Sequence, residues 1–426
     1  MSKPPDERPV VVVVGGGFAG LSAVKQLKRA RVRTVLIDKN NYNLFAPLLY
    51  QVGTALLDPS EIAHPIRGLI QPVRNCEFLM ATVTGFDLQE RIVRTDRGDV
   101  AYDYLIVALG SETNFFSNRS IERRSVAMKT LEDAIALRNE VLRRFEEARW
   151  ASDPAERARL LTFMIIGGGS TGVETAGAIQ ELVRRVLKKD FKEMSLDQVQ
   201  VILLEAADRL LPPFHPNLQQ KALKTLEKMS VKVMFGAAVK RVDRERVILS
   251  DRSELPGGLV VWTAGVKASS LGSDLSSALS TAGTVKVEET LQLPGHPEVF
   301  VVGDLAAFDF EGSPLPMLGA VAGQEGKRAG RNLRALVEGK PQKPFHYRNK
   351  GMMSTIGRNS AVVQFRRLRF GGFIGWAAWL FVHLVLIVSF RTQLVIIWNW
   401  FWNYLSNDRP ARLILDGEAI EKAEAG

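Results

Sequence analysis

Six glycines in two sets of three carry the first chemical signal in this chain. Gly15, Gly17 and Gly20 stand in Gly15-Gly16-Gly17-Phe18-Ala19-Gly20, and Gly167, Gly169 and Gly172 in Gly167-Gly168-Gly169-Ser170-Thr171-Gly172. Both sets read G-x-G-x-x-G. In that spacing the first glycine permits a tight turn, the second lets backbone approach a pyrophosphate, and the third lets a helix lie close on the preceding strand. An acid closes a following apolar run in each half: Asp38 after Val35-Leu36-Ile37, and Glu205 after Val201-Ile202-Leu203-Leu204. A carboxylate there can accept both hydroxyls of a ribose. A single copy could be a packing turn and nothing more; two acid-terminated copies point to two dinucleotides and to electrons passing between them, typically from a nicotinamide to a flavin.

Such glycines need a strand before them and a helix after them, whose N-terminal N–H groups and partial positive charge face the phosphates. The valine run Val10 to Val14 supplies the first strand and Phe163-Met164-Ile165-Ile166 the second. The first βαβ unit is expected over residues 8–40, followed by a loop over 41–67 rich in aromatic residues, Pro and Leu. An apolar strand then stops at Ala108-Leu109-Gly110, and its counterpart in the second half stops at Thr263-Ala264-Gly265. Between them the periodicity predicts a helix over 131–151 and short strands near 231–233 and 246–249. A last strand over 299–302 runs into Gly303-Asp304, a charged helix is expected over 320–337, and a Pro-rich break falls at 340–344.

At 426 residues the chain has room for two or three domains. Its one cysteine, Cys76, excludes an intrachain disulfide or dithiol and reads as a buried small side chain. Five histidines without ligand spacing indicate no metal site. The net charge of +10 comes without aromatic platforms or base-reading motifs, which argues against nucleic acid. No secretory signal is expected in the polar N-terminus. Apolar residues concentrate in 371–390, about 20 residues and just enough to span a bilayer core. After Arg391 comes a Trp-rich run ending at Tyr404-Leu405, and Arg366, Arg367 and Arg369 precede the whole segment. A core helix, a single span and two helices lying in one leaflet all remain open. The indoles and arginines favour the last, with attraction to an anionic lipid surface and a core that folds without the segment.

With these residues in place, the chain resembles the type II NADH dehydrogenases, single-subunit NADH:quinone oxidoreductases that pump no protons. The most specific match is Asn41-Tyr42-Asn43-Leu44-Phe45-Ala46-Pro47-Leu48-Leu49-Tyr50-Gln51-Val52, similar to the family's N-Y-H-L-F-x-P-L-L-Y-Q-V. The resemblance implies an α/β fold: two Rossmann-like dinucleotide-binding domains, for FAD and NAD(P), plus a C-terminal membrane-anchoring helical segment. It places the FAD domain in 1–115 and 266–340, the NADH domain in 116–265 and the anchor in 341–426.

It further implies bound FAD, with Asp304 on the ribityl chain and Gly110 and Gly303 beside it, and NADH as substrate with Gly265 near the nicotinamide. Hydride then moves to FAD and two electrons to a membrane quinone. Glu174, Lys350 and Gln324 are the implied catalytic residues; a helix-dipole role for Glu174 and an exposed loop for Lys350 are the bland alternatives. The family's quinone motif A-Q-x-A-x-Q keeps Gln324 here but has Ala320 in place of its first Gln, and the family's A-T-G turn is Ala108-Leu109-Gly110. Expected partners are quinone, anionic lipid and, as a candidate, a second copy of the chain. The expected place is the cytoplasmic face of the plasma membrane. Other readings of the same residues are a reductase of a one-electron protein acceptor and a non-catalytic, membrane-attached NADH sensor.

Overall fold

The computed structural model describes residues 8–276, 279–387, 390–409 and 411–415. These divide into two compact units, one drawn from Met1–Leu44, Ala63–Glu112 and Val266–Asn349, the other from Phe45–Ile62, Thr113–Gly265 and Lys350–Gly426.

The first unit is built on a six-stranded sheet in the order Gln292–Leu293, His296–Val301, Tyr104–Val107, Val10–Val14, Arg33–Asp38, Cys76–Met80. All neighbours pair in parallel except the first two strands. The valine strand lies at its centre, pairing Val12 with both Val35 and Leu105, and all five valines are buried. An unbroken apolar run suits such a strand because helices cover both faces of a parallel sheet. The fingerprint helix Phe18–Leu27 packs closely on the long helix Gly319–Val337.

The second unit repeats the plan with a five-stranded parallel sheet, Val126–Ala127, Leu259–Trp262, Thr162–Ile166, Gln200–Leu204, Val231–Met234. Its fingerprint helix Ser170–Glu181 starts directly after the central strand. The helix Leu131–Trp150 opens with a complete capping box, Thr130 accepting from Asp133 N–H and Asp133 accepting from Thr130 N–H.

Two expectations need correction. The stretch 41–67 is not an open loop: Tyr42–Leu44 pairs antiparallel with Ala63–Pro65, and short helices at Leu49–Gly53 and Pro59–Ile62 lie between them. Phe45, Leu48, Leu49, Val52 and Leu57 are all buried, and that packing assigns 45–62 to the second unit. Next, residues from 350 onward are no free-standing appendage. Met352–Gly357, Ser360–Phe365 and Leu368–Gly372 form an antiparallel sheet, and the helices Phe373–Leu386 and Phe390–Ser406 follow it. Trp379 is 1% exposed, Ile396 0% and Arg409 2%, so one side of this segment is core. Among the described residues no helix is long and apolar enough to cross a membrane, which leaves the favoured non-spanning reading in place; residues 388–389 of the apolar stretch and 410 and 416–426 of the expected anchor lie outside the described residues. The helices' other side carries exposed Phe373, Ile374, Phe381, Val385, Leu394, Trp398, Trp402 and Leu405.

Candidate functional site

In the first unit, Gly15 adopts φ +100°, and a Cβ there would lie 2.2 Å from the Ala108 carbonyl oxygen. A Cβ at Gly20 would fall 1.8 Å from the Gly15 oxygen, inside any allowed contact. Gly17 differs: among the described residues nothing lies within 4 Å of where its Cβ would be. The outer two glycines are therefore demanded by the chain's own packing, and the middle one leaves room that the protein itself does not fill. Asp38 braces the turn, accepting Gly16 N–H at 2.6 Å on one oxygen and Asn40 N–H at 2.7 Å on the other. Burial pushes its carboxyl above the usual aspartate range, and these N–H donors oppose the shift. Asn43 Nδ2 donates to the Gly16 oxygen at 2.8 Å, which ties the family-like segment to the same turn.

Asp304 follows the neighbouring strand His296–Val301 and accepts the Ser111 hydroxyl. Gly303 packs against Ala19 at the start of the fingerprint helix, where a Cβ on the glycine would lie 3.3 Å from the alanine Cβ. Gly15, Gly17, Gly20, Asp38, Gly110, Gly303 and Asp304 thus gather at the carboxyl ends of adjacent parallel strands, where open α/β sheets bind ligands. Sequence reasoning missed Glu325. It is 1% exposed and accepts Gly303 N–H at 2.6 Å, so it holds the turn that presents Asp304. Burial, with Asp304 nearby, pushes its carboxyl up to about 8. Its helical spacing from buried Ala322, Ala329 and Leu333 was a readable signal. Gln324, on the same helix, uses its amide to clasp the Arg348 backbone, donating to its oxygen and accepting its N–H at 3.1 Å each.

The second unit has the same steric logic. Gly167 has φ +110°, a Cβ at Gly172 would lie 1.8 Å from the Gly167 oxygen, and nothing lies within 4 Å of a Cβ at Gly169. Glu205 accepts Gly168 N–H at 2.5 Å and Ala207 N–H at 2.7 Å. The turn touches the next strand's end, since a Cβ at Gly167 would lie 2.8 Å from Ala264 Cα, so Gly265 stands close by. Glu174, in the first turns of the helix, accepts Thr355 N–H and the Ser354 hydroxyl, both at 3.2 Å. Burial nevertheless raises its carboxyl to about 8. Lys350 is exposed in this unit. Cys76 is half-buried on the outer strand of the first unit rather than fully buried, and burial pushes its thiol up to about 12.

The family model of the pyridine nucleotide-disulphide oxidoreductases matches residues 9–326. The type II NADH:quinone oxidoreductase Ndh of Mycobacterium tuberculosis is 39% identical over an alignment that covers 98% of this chain and 93% of the relative. The chain belongs to the type II NADH:quinone oxidoreductase family. A second relative so named, NdhA of the same organism, is 40% identical over 94% of this chain and 88% of its own. The solved structure of NDH2 from Plasmodium falciparum in complex with NADH superposes with a TM-score of 0.84 at 18% identity, covering 96% of this chain and all of that one, and so shares the fold. The disulphide in the wider family's description has no counterpart here, because the sequence holds one cysteine.

Proposed function

We propose that this chain oxidises NADH and reduces a membrane quinone through FAD, without pumping protons. The observation that carries this reading is the doubled, acid-braced glycine turn, each copy with its middle glycine facing open space. The first unit would hold FAD: the Gly15 turn and helix N-terminus on the pyrophosphate, Asp38 on the adenosine ribose, Asp304 on the ribityl chain. The second would hold NADH on the Gly167 turn, with Glu205 on its ribose and Gly265 beside the nicotinamide. The chemistry supplied by bound FAD is acceptance of a hydride from the nicotinamide and delivery of two electrons to a quinone. The protein's share is to orient both dinucleotides, to offer a cation at Lys350 for developing negative charge, and to hold a proton on Glu174 near neutral pH. Gln324 lines the quinone's place through its hold on Arg348, with Ala320 leaving that wall less polar than in the family motif.

The outward apolar face of the two C-terminal helices supports attachment at the cytoplasmic face of the plasma membrane. The exposed arginines Arg366, Arg367 and Arg369, at the hairpin between Ser360–Phe365 and Leu368–Gly372, support attraction to anionic lipid. A second copy of the chain remains a candidate partner.

The test is NADH oxidation by purified protein with a quinone, with ferricyanide and with oxygen alone, together with identification of the flavin released on denaturation. FAD and rapid quinone turnover are expected; FMN, no flavin, or slow turnover with every acceptor would sink the reading. Substituting Gln324 or Lys350 by Ala should lower the quinone rate about tenfold, the loss of one charge-assisted or clasping hydrogen bond, and change the ferricyanide rate little. Equal losses with both acceptors would mean a damaged flavin site.

NADH should be preferred to NADPH because Glu205 repels a 2′-phosphate. Glu205→Gln keeps an acceptor for Gly168 N–H while removing the charge, and should narrow the preference by roughly tenfold, about 1.4 kcal/mol of lost repulsion. Equal use of the two nucleotides by the unaltered protein would refute the role given to Glu205.

A further inference from the structure

Glu174 is linked to the C-terminal helix Phe390–Ser406 by a series of polar contacts that passes through the Thr355 residue, entering at its hydroxyl and leaving from its backbone N–H. The Trp400 indole N–H donates to Gln51 Oε1 at 2.9 Å, and Gln51 Nε2 donates to Tyr50 Oη at 2.9 Å. Tyr50 Oη lies 3.4 Å from Thr355 Oγ1, and Thr355 N–H donates to Glu174 Oε1 at 3.2 Å. The direction of the first two links is fixed by the first member. An indole only donates, so the Gln51 oxygen faces it and the Gln51 amide nitrogen donates to the phenol, while either hydroxyl can be the donor between Tyr50 and Thr355. Gln51 is 2% exposed, and both ends of its amide are used. An amide buried among apolar side chains costs stability unless it is satisfied in this way.

A second tie runs alongside the first. Arg409 donates to the Thr54 oxygen at 2.7 Å and sits 3.6 Å from Glu181, while the Thr54 hydroxyl donates to the Tyr50 oxygen at 2.9 Å. Tyr50, Gln51, Glu174, Trp379, Trp400 and Arg409 line one narrow cleft of about 70 Å³ within the second unit.

We propose that Tyr50, Gln51 and Trp400 are positioning residues for quinone reduction: seated against the C-terminal helix, they hold the strand Met352–Gly357 so that Thr355 N–H stays on the Glu174 carboxyl. The inference rests on the role proposed for Glu174. The charged and titratable groups that line the cleft with that carboxyl are Tyr50 from the helix Leu49–Gly53, Glu181 from its own helix, Arg358 after the strand, Tyr404 from the helix Phe390–Ser406, and Arg409 after it. Trp400→Phe leaves all of these groups in place, and Tyr50→Phe removes only a phenol that burial keeps protonated. Either cut loosens the N–H that favours the carboxylate, so the carboxyl then keeps its proton to higher pH.

The experiment uses full-length, FAD-loaded protein in lipid vesicles. The pH dependence of kcat and of kcat/KM is measured with quinone for the unaltered protein and for Glu174→Gln, Trp400→Phe and Tyr50→Phe, with ferricyanide as the second acceptor. Glu174→Gln should remove one limb of the quinone profile. Trp400→Phe and Tyr50→Phe should move that limb upward by about half a pH unit, a threefold change in proton affinity, with flavin content, KM for NADH and the ferricyanide rate unchanged. The two variants cut the series at different joints, so they must agree, and Tyr50→Phe removes a single oxygen should the larger change disturb folding. If Glu174→Gln leaves the limb in place, the role of Glu174 and this proposal fail together. If it removes the limb while the other two variants leave it unmoved or lower it, the positioning proposal alone is overturned.

Discussion

On the proposed function, Gly172→Ala should eliminate NADH turnover with every acceptor while the protein stays yellow, and Gly20→Ala should yield protein without flavin. In each case the new methyl would sit 1.8 Å from a carbonyl oxygen of the same turn, Gly167 in one and Gly15 in the other. The nearest obstacle is backbone in both turns and cannot swing aside as a side chain could; at Gly172 the Thr263 hydroxyl crowds the same point at 2.8 Å. Relief therefore requires the helix to lift from its strand, which displaces the N–H groups proposed to meet the pyrophosphate. A loss of only about 3 kcal/mol there weakens binding by roughly 100-fold or more. Flavin-to-protein ratio and an NADH titration read the two outcomes separately. Gly17→Ala and Gly169→Ala are the matched controls, since nothing lies within 4 Å of either Cβ. They should keep the thermal stability of the ligand-free protein and lose affinity only for FAD and for NADH respectively. Normal NADH affinity in Gly172→Ala would show that the second turn binds something else.

Replacing Phe381, Val385, Trp398 and Trp402 together by Gln should release the enzyme from vesicles, preserve ferricyanide reduction, and cut the rate with long-chain quinone by more than tenfold. These four side chains are exposed on the C-terminal helices, so their removal costs the fold little. Withdrawing each from lipid loses about 1.5 kcal/mol or more, roughly 6 kcal/mol together, which lowers partitioning by about 10⁴. Retained vesicle binding would place the attachment elsewhere. Truncation after Phe365 is a different experiment with a different expected result. It removes the strand Leu368–Gly372, paired residue by residue to Ser360–Phe365, and takes away Trp379, Ile396 and Arg409 from the core. It also strips Gln51 and Glu61 of partners in Trp400 and Asn399. Unfolding of the second unit is expected there, measured as lost NADH binding and aggregation, so the shortened chain does not report on anchoring. The sequence-based expectation that this segment is dispensable for folding is overturned by its inner face.

The residues that the sequence alone revealed are those whose roles depend on near neighbours in the chain. Gly15 and Gly20 collide across five positions, a strand of valines announces its own burial on both faces, and an acid at a strand end braces the turn beside it. Such constraints act within one βαβ unit, so they leave a motif that recurs intact in the second half. Glu325 was within reach by the same means, since helical spacing puts it on an inner face. The role of residues 45–62, the buried Arg409 and the series from Trp400 to Glu174 were not legible. Trp400 meets Gln51 across 349 positions and Tyr50 meets Thr355 across 305, and neither pair shares a period, a spacing or a composition. Only the folding of the C-terminal sheet and helices onto the second unit brings these side chains within hydrogen-bond distance. The C-terminal segment shows the same division: its apolar content is plain in the sequence, but which side chains face the core and which face outward is fixed by the surface that the helices pack against.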